Sequence, residues 1–367
     1  MSATCHKRNQ IISFLQDQNI CYKTDYLIKY ETYFKTGGIV KLFVAPQDYG
    51  KMVSLVSFLN VSRIKYRIIG YTSNMLFFDE IQYSVILSTK NLNSLEIKEK
   101  KIEVEAGYQL QDFVRVALIN GWKGFDGLEG IPGSIGGALV MNAGAYGYSI
   151  SDNLISVECI DGENRLSLLK KDDCLFEYRN SIFRGGGHCI LRATFSLQKD
   201  SIARIAKNIE KFHIARHSYQ EHAYPNLGSM ISINENFYNE IFRNKKTFAL
   251  LFWLLRILFK NPISKFLSRR NPNNIVFNWL LKKFLLLERR VLLNYQMSAK
   301  GANSLVNNGK VLPKEIIEYT LLCKELLGGK YHIENEFVVT PAFSVDPEFQ
   351  GTYDLLVSKL SESRQDA

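Results

Sequence analysis

The chain has 367 residues, of which 46% are hydrophobic and 22% are charged. This composition is typical of a folded protein of two or three domains and excludes a disordered or collagen-like chain. The net charge of +10 is concentrated, because residues 241–290 hold twelve lysines and arginines and one acidic residue, Glu288. Bulky aliphatic residues dilute this basic segment, so we expect no nucleic-acid partner.

The N-terminus and the cysteines indicate the compartment. The first eighteen residues contain no continuous apolar stretch, which predicts no signal peptide. The six cysteines are scattered and form no Cys-x-x-Cys pair, so we expect free thiols in a reducing cytoplasm. We therefore predict a cytoplasmic protein, and we expect it to be a monomer.

The N-terminal part alternates helix and strand. Residues 1–30 are typical of a helix that leads into a short strand. A strand at 41–46, an amphipathic helix at 47–60 and a strand at 65–70 then predict a βαβ unit. This unit ends in a turn, GYTSN, at 70–74.

The central part is richer in strands. We predict a strand at 83–89, a hairpin at 95–107 around a charged turn, and an amphipathic helix at 109–121 that ends at a glycine. Strands follow at 154–161 and 189–197. The alternation indicates an α+β protein with two β-rich subdomains.

The C-terminal part has a different pattern. Residues 200–217 predict a polar helix, 224–230 a loop, and 302–339 a strand, turn, helix and strand in that order. His213, His217 and His222 are most simply solvated helix histidines, because no neighbouring ligand completes a metal site; we expect no metal.

Seven glycines crowd the stretch GLEGIPGSIGGALVMNAGAYG at 127–147, whose only charged residue is Glu129. Backbone N–H groups in such a loop can bind an anion without a lysine. The pattern matches neither a P-loop nor a dinucleotide-binding GxGxxG turn. A purely structural turn is the alternative when this loop is considered alone.

Seven motifs follow one another along the chain: TYFKTGG (32–38), GYTSNMLF (70–77), GIPGSIGGALVMNAGAYG (130–147), YRNSIF (178–183), YPNLGS (224–229), QMSAKGANSLVN (296–307) and IENEFVV (333–339). Together and in this order they resemble the UDP-N-acetylenolpyruvoylglucosamine reductase (UDP-N-acetylmuramate dehydrogenase) family. The resemblance is strongest to the shorter subtype, since only 50 residues separate Arg179 from Ser229.

The resemblance implies a two-subdomain FAD-binding fold of the vanillyl-alcohol-oxidase/PCMH-like type with an α+β substrate domain. It places FAD-binding subdomains at 1–90 and 91–198, the substrate domain at 199–345 and a C-terminal tail at 346–367. It also implies that NADPH reduces FAD and that a nucleotide-sugar enol ether then takes the hydride and a proton, which yields UDP-N-acetylmuramate for peptidoglycan synthesis.

The resemblance also assigns roles to individual residues. Arg179 would bind the substrate carboxylate and stabilise the developing enolate, and Ser229 would donate the proton. Glu336 would orient the intermediate, with Glu334 as the second candidate. Tyr178 and Asn303 would line the substrate pocket. The implied cofactor-binding residues are Gly70, Thr72, Ser73, Asn74, Gly130, Ile131, Pro132, Gly133, Ser134, Gly136, Gly137, Asn142, Gly144, Ala145 and Tyr146.

The chain departs from the family pattern at substrate-side positions. Tyr71 and Thr72 replace two glycines of the first loop, and Met230–Ile233 replace a Phe-Lys-Asn-Pro segment. The diphosphate contact of that lysine is lost unless Arg243 or Lys245 substitutes for it. Three interpretations stay open: this reductase, a paralogue that acts on another sugar nucleotide or lipid-linked sugar, and a non-catalytic membrane-peripheral protein.

Residues 241–290 are predicted to be an insertion of two basic, apolar helices, at 245–260 and 275–290. The longest uncharged run of the first helix, 247–255, is too short to span a bilayer. One interpretation is a helical hairpin that contacts an anionic membrane peripherally. The other is that both helices form part of the core of the third domain, with solvated basic faces.

Overall fold

The computed structural model describes residues 3–233, 235–260, 274–287, 297–310, 312–329 and 331–362. The helices in these ranges are α1 (Ala3–Asp17), α2 (Tyr49–Val61), α3 (Leu110–Ile119), α4 (Ile135–Val140), α5 (Ile202–Tyr219), α6 (Phe237–Phe242), α7 (Lys246–Lys260), α8 (Ile275–Leu287), α9 (Pro313–Leu326) and α10 (Gln350–Glu362). The strands are β1 (Tyr22–Leu27), β2 (Ile39–Val44), β3 (Arg67–Ile69), β4 (Met75–Phe77), β5 (Ile81–Ser88), β6 (Leu95–Lys98), β7 (Lys101–Glu105), β8 (Gly144–Ala145), β9 (Tyr148–Ser149), β10 (Leu154–Ile160), β11 (Leu166–Lys170), β12 (Cys189–Ser196), β13 (Met297–Ser298), β14 (Gly301–Leu305), β15 (Glu336–Val338) and β16 (Ala342–Val345).

The first sheet is mixed and centres on β5. Strand β5 pairs in parallel with β2 and β3, and antiparallel with β16. The connection from β2 through α2 to β3 therefore confirms the predicted βαβ unit. Asp48 caps α2 by accepting a bond from Lys51 N, and Met52, Leu55, Val56 and Leu59 pack the buried face of the helix.

The second sheet is antiparallel, in the order β11-β10-β12-β7-β6. The pairing of β6 with β7 confirms the predicted hairpin, and α3 covers this sheet with a buried stripe. Phe113, Phe125 and Phe195 meet edge-on or tilted at the centre of this core, 4.9–5.9 Å between ring centroids.

The C-terminal segment returns to the first sheet. β15 pairs in parallel with β4, and β16 adds to the edge of β5. One hydrophobic core therefore contains Phe77 and Tyr83 together with Ile231, Phe337 and Phe349. The C-terminal strands thereby bring the IENEF motif beside β4, directly after the GYTSN turn.

Helices α7 and α8 lie side by side on α6. Phe248 meets Phe284 and Phe252 meets Phe277, each pair with ring centroids 5.1 Å apart, so the helices run antiparallel. These inner faces join the main core, as the second interpretation of the insertion expects. The remaining residues of the insertion, 261–273 and 288–290, lie outside the described residues. No helix in the described ranges is both long and apolar enough to cross a membrane.

Candidate functional site

A cavity of about 1300 Å³ lies where the two sheets meet the C-terminal strands. Its walls come from 70–75, 130–145, 178–190, 226–233 and the IENEF motif. Pockets for a single small ligand have volumes of roughly 300–1,000 Å³. This cavity therefore has room for a dinucleotide and a second ligand.

The GYTSN turn at 70–74 and the glycine-rich loop contact each other directly in the wall of the cavity. Ser73 Oγ donates to the carbonyl of Pro132 at 2.8 Å. A Cβ atom on Gly70 would lie 2.6 Å from Ser134 Oγ, so the close approach requires glycine. Thr72 Oγ1 accepts a bond from Tyr33 N at 2.8 Å and keeps its O–H as a donor.

The glycine-rich loop presents backbone rather than side chains to the cavity. Gly130 and Gly133 have φ angles of 75° and 129°, which side-chain-bearing residues rarely adopt. Gly136 packs against Ala106, where an added Cβ would lie 3.0 Å from the Ala106 Cβ. Ser134 caps α4 by accepting a bond from Gly137 N. The loop is thus a rigid surface of exposed peptide groups.

Arg216 lies against this loop with unsatisfied donors. The residue is only 4% exposed, and its Nε and Nη2 have no hydrogen-bond partner among the described residues. An added Cβ on Gly130 would lie 2.9 Å from the Arg216 Cδ, and the guanidinium sits over the Tyr146 ring at 5.4 Å. A buried cation with free N–H groups beside a glycine loop fits the diphosphate of a dinucleotide.

Arg179 is held in position by the turn that carries it. Its φ of 56° is left-handed, and Asn142 Nδ2 braces the turn by donating to the Glu177 carbonyl at 2.9 Å. Arg184 donates to the Arg179 carbonyl at 2.9 Å. The Arg179 Nε lies 3.7 Å from a carboxylate oxygen of Glu334. The guanidinium therefore faces the cavity from a fixed backbone.

Ser229 is exposed on a loop that neighbouring amides brace. Asn335 Nδ2 donates to the carbonyls of Leu227 at 3.0 Å and Ser229 at 3.4 Å. Asn303 forms two side-chain bonds with the backbone of Ile231, at 3.1 and 2.8 Å. Asn303 thus acts as a brace behind the cavity wall rather than as part of its lining.

Glu336 enters the cavity from β15. Its backbone N donates to the Asn74 carbonyl at 2.8 Å, which joins the IENEF motif to the first loop. Its carboxylate pairs with Arg67, 2.6 Å between Oε1 and Nη1. Glu334 lies two residues earlier and also lines the cavity, so both acidic candidates face the same space.

Glu334 is a carboxylate of the cavity whose pKa is shifted by its surroundings. Burial raises the pKa of Glu334 above its usual value, and the neighbouring guanidinium groups of Arg179 and Arg184 offset part of that rise. The carboxyl therefore keeps its proton to a higher pH than an exposed glutamate would.

The structure brings most of the predicted site residues together. Arg179, Ser229, Glu336 and Tyr178 all line the cavity. So do Gly70, Thr72, Ser73, Asn74, Gly130, Ile131, Pro132, Gly133, Ser134, Gly136, Gly137, Gly144 and Ala145. Asn142, Tyr146 and Asn303 lie outside this lining and support it instead: the Tyr146 ring stacks on Phe212 at 4.6 Å.

Three arginines of the cavity are absent from the sequence-based set: Arg67, Arg184 and Arg216. Arg184 follows the YRNSIF motif directly, which is a usable signal. Arg67 meets its partner, Glu336, across 269 residues of chain, so no local pattern reveals it. Arg243 and Lys245 are the two candidates to substitute for the missing lysine. Arg243 pairs with Glu240, and neither residue lines the cavity.

Comparisons with known proteins agree on the family. The sequence model of the FAD binding domain matches residues 40–167. A UDP-N-acetylenolpyruvoylglucosamine reductase of Caldanaerobacter subterraneus is 32% identical over 58% of this chain and 70% of its own length. That of Clostridium novyi is 34% identical over 59% and 70%, and that of Petrotoga mobilis is 29% identical over 85% and 92%.

A solved structure supports the fold. The UDP-N-acetylenolpyruvylglucosamine reductase of Thermus caldophilus superposes with a TM-score of 0.61 and 20% identity, covering 87% of this chain and 98% of its own. The predicted FAD-binding α+β fold is therefore confirmed, as is the resemblance on which it was based. The chain belongs to the UDP-N-acetylenolpyruvoylglucosamine reductase family.

Proposed function

We propose that the chain is an FAD-dependent reductase that uses NADPH to convert UDP-N-acetylglucosamine enolpyruvate into UDP-N-acetylmuramate, a step of peptidoglycan precursor synthesis. The observation that carries this proposal is the convergence of Arg179, Ser229 and Glu336 on one cavity beside the glycine-rich loop. We place the protein in the cytoplasm as a monomer.

The residues of the cavity fit FAD. The loops at 70–74 and 130–145 would hold it through peptide groups. The Nε and Nη2 of Arg216, which have no partner in the described ranges, would face its diphosphate. When bound, FAD supplies the redox chemistry that takes a hydride from NADPH and passes it to the enol ether. All other steps fall to groups of the protein.

Arg179 would bind the carboxylate of the enolpyruvyl group. A guanidinium is a permanent cation with a planar fork of donors, which suits a carboxylate and the negative charge that develops on it. Glu334 also pairs with this guanidinium, since its carboxylate lies 3.7 Å from the Arg179 Nε. Burial raises the pKa of Glu334 and Arg179 offsets part of that rise, so a substrate carboxylate would compete with Glu334 for the Arg179 guanidinium.

Ser229 would donate the proton to the carbon next to that carboxylate. A serine hydroxyl is a weak acid, so the transfer depends on accurate placement and on the cations that stabilise the intermediate before it is protonated. Asn335 and Asn303 supply the placement, because they anchor the backbone on both sides of Ser229.

Glu336 would orient the substrate from the opposite wall. Its pairing with Arg67 fixes one carboxylate oxygen and leaves the other to accept a hydrogen bond. Arg184 and Arg216 would supply positive charge for substrate or cofactor phosphates in place of the absent Phe-Lys-Asn-Pro lysine. Met230 and Ile231, which replace part of that segment, are buried in the core instead.

An assay with purified flavoprotein tests the proposal. NADPH oxidation should depend on the enolpyruvyl nucleotide sugar, and UDP-N-acetylmuramate should appear in equal amount. Arg179→Met should reduce kcat/KM by about a hundred-fold or more, because it removes a charge from the transition state. A yellow protein that oxidises NADPH without any response to this substrate would contradict the proposal and indicate another substrate.

A further inference from the structure

The outer faces of α7 and α8 form an exposed apolar surface that the reaction does not use. Ten of the large hydrophobic side chains exposed in the described part of the chain lie on these two helices. They include Leu250, Trp253, Leu254 and Leu258 on α7, and Trp279 and Leu286 on α8. We call these six residues the outer patch.

The outer patch is not a by-product of poor packing. Both helices also pack an inner face on the core, where Phe252 on α7 and Phe277, Leu281 and Phe284 on α8 are less than 4% exposed. At about 100° per residue, Leu250, Leu254 and Leu258 occupy the side of α7 opposite to Phe252. When a helix is apolar on both sides, its outer side is removed from water only by a second apolar partner.

The charges beside the outer patch have one sign. Helices α7 and α8, at 246–260 and 275–287, contain no aspartate or glutamate. Exposed Lys246 and Arg256 accompany the apolar residues of α7, and exposed Lys282 and Lys283 accompany those of α8. The Lys283 Nζ lies 6.0 Å from the centroid of the Trp279 ring. Apolar side chains edged by lysines match a layer with an apolar interior and anionic headgroups.

The two tryptophans agree with a membrane surface. Trp253 and Trp279 are 56% and 55% exposed, whereas Trp122 is buried. An amphipathic indole is favoured at the depth of lipid headgroups. The finding that no described helix could cross a bilayer leaves contact with one leaflet as the geometry that suits these helices.

We propose that the outer patch docks the protein on the surface of a membrane that contains anionic phospholipid. Trp253, Leu254, Leu258 and Trp279 enter the headgroup–acyl boundary, and Lys282 and Lys283 contact phosphates. Because both helices bury their inner faces in the core that braces the Ser229 loop, the cavity and its loops are held near the membrane as one body. The proposal does not depend on which substrate the cavity accepts.

Co-sedimentation of the full-length flavoprotein with vesicles tests the proposal. The wild-type protein should sediment with phosphatidylcholine vesicles that contain phosphatidylglycerol, and only weakly with pure phosphatidylcholine. Trp253→Ser/Leu254→Ser should weaken partitioning into the anionic vesicles by at least about ten-fold, because two apolar side chains that would insert into the lipid are lost. Lys282→Glu/Lys283→Glu should weaken it on the order of thirty-fold, and added salt should weaken wild-type binding.

Matched variants on other surfaces give the controls. Leu168→Ser removes an exposed leucine from β11, and Lys207→Glu/Lys211→Glu reverses two exposed lysines on α5. Both variants should bind vesicles as the wild type does. Absence of binding to the anionic vesicles would overturn the proposal. So would equal losses in outer-patch and control variants, or a dimer in light scattering that Trp253→Ser/Leu254→Ser dissociates, since a second copy would then cover the patch.

Discussion

Gly130 determines both the backbone conformation of the glycine-rich loop and the approach of the Arg216 guanidinium to it. Its φ of 75° suits glycine, and the space where a Cβ would lie is occupied by the Arg216 side chain. The absent side chain therefore lets Arg216 reach the loop with its Nε and Nη2 unpartnered among the described residues. A change at this position should act on cofactor binding before it acts on folding.

Gly130→Ala should weaken FAD binding by about ten-fold or more. The substitution adds roughly 1–2 kcal/mol of left-handed backbone strain and also displaces Arg216. Fluorescence titration of the flavin-stripped protein measures the affinity. Gly147→Ala is the matched control, because Gly147 has a φ of 83° but nothing within 4 Å of an added Cβ. Equal losses in both variants would mean that strain alone, and not Arg216, accounts for the effect.

Glu334→Gln should become more stable relative to the wild type as the pH rises. Burial raises the pKa of Glu334 in the folded protein, so its protonated form contributes stability that is complete below the ordinary value of 4.5. That contribution is lost as the pH rises through the folded pKa, whereas glutamine stays neutral.

Thermal unfolding from pH 4 to pH 8 measures this difference, with the flavin spectrum recorded at each pH to verify that the cofactor remains bound. The melting temperature of Glu334→Gln minus that of the wild type should increase across this range. A difference that stays constant or decreases would show that the Arg179 pairing, and not burial, dominates at Glu334.

At the scale of elements, β15 and the Ser229 loop form one assembly. Asn335 lies between them and donates to the carbonyls of Leu227 and Ser229 and to the Asn74 side chain. Asn335 therefore connects the segment that carries Glu334 and Glu336 to the loop that carries Ser229.

Asn335→Ala should lower kcat by roughly ten-fold and destabilise the protein by about 1–3 kcal/mol, because buried acceptors lose their donor. Steady-state kinetics and thermal unfolding measure the two effects. Asn120→Ala, which removes a bond to the Val116 carbonyl at the end of α3, should alter stability alone. An unchanged kcat for Asn335→Ala would show that the Ser229 loop does not need this brace.

Local patterns predict the elements well, and they predict the long-range pairings poorly. The βαβ unit, the β6–β7 hairpin and α3 follow from hydrophobic periodicity and turn residues. The parallel pairing of β4 with β15 and the addition of β16 to β5 depend on contacts between distant segments, which periodicity does not encode.

The residues of the site also divide into those that local sequence motifs predict and those that depend on distant contacts. The glycine-rich loop and the motif residues Arg179, Ser229 and Glu336 are visible as motifs because each is a short run with its own conformation. Arg67 and Arg216 are invisible in the sequence, because their roles come only from partners that the fold brings to them. The two interpretations of α7 stay open in the sequence for the same reason, since the sequence does not reveal which apolar residues the core takes.

At the scale of the whole molecule, the candidate cofactor loops connect the two sheets. The loop at 70–74 follows β3 of the first sheet, and the loop at 130–145 belongs to the half of the chain built around the second sheet. The bond from Ser73 to Pro132 is one direct link between them. A ligand that contacts both loops should therefore stabilise the whole molecule cooperatively.

FAD should raise the melting temperature of the flavin-stripped protein by several degrees. At a concentration of about one hundred times its Kd, a ligand specific for the folded state adds roughly 2.7 kcal/mol of stability. Differential scanning fluorimetry over a series of FAD concentrations measures the shift, and AMP serves as a control that spans only part of the cavity. A protein that melts at one temperature with or without FAD would contradict the assignment of the loops.

The most direct test of the central claim is the anaerobic reoxidation of NADPH-reduced enzyme by the enolpyruvyl substrate, followed by flavin absorbance. Wild-type protein should reoxidise in a rapid single phase and release UDP-N-acetylmuramate. Ser229→Ala, with equal flavin content and an unchanged rate of reduction by NADPH, should reoxidise about 10²–10⁴-fold more slowly. Equal reoxidation rates for the two proteins, or no reoxidation of the wild type, would contradict the account.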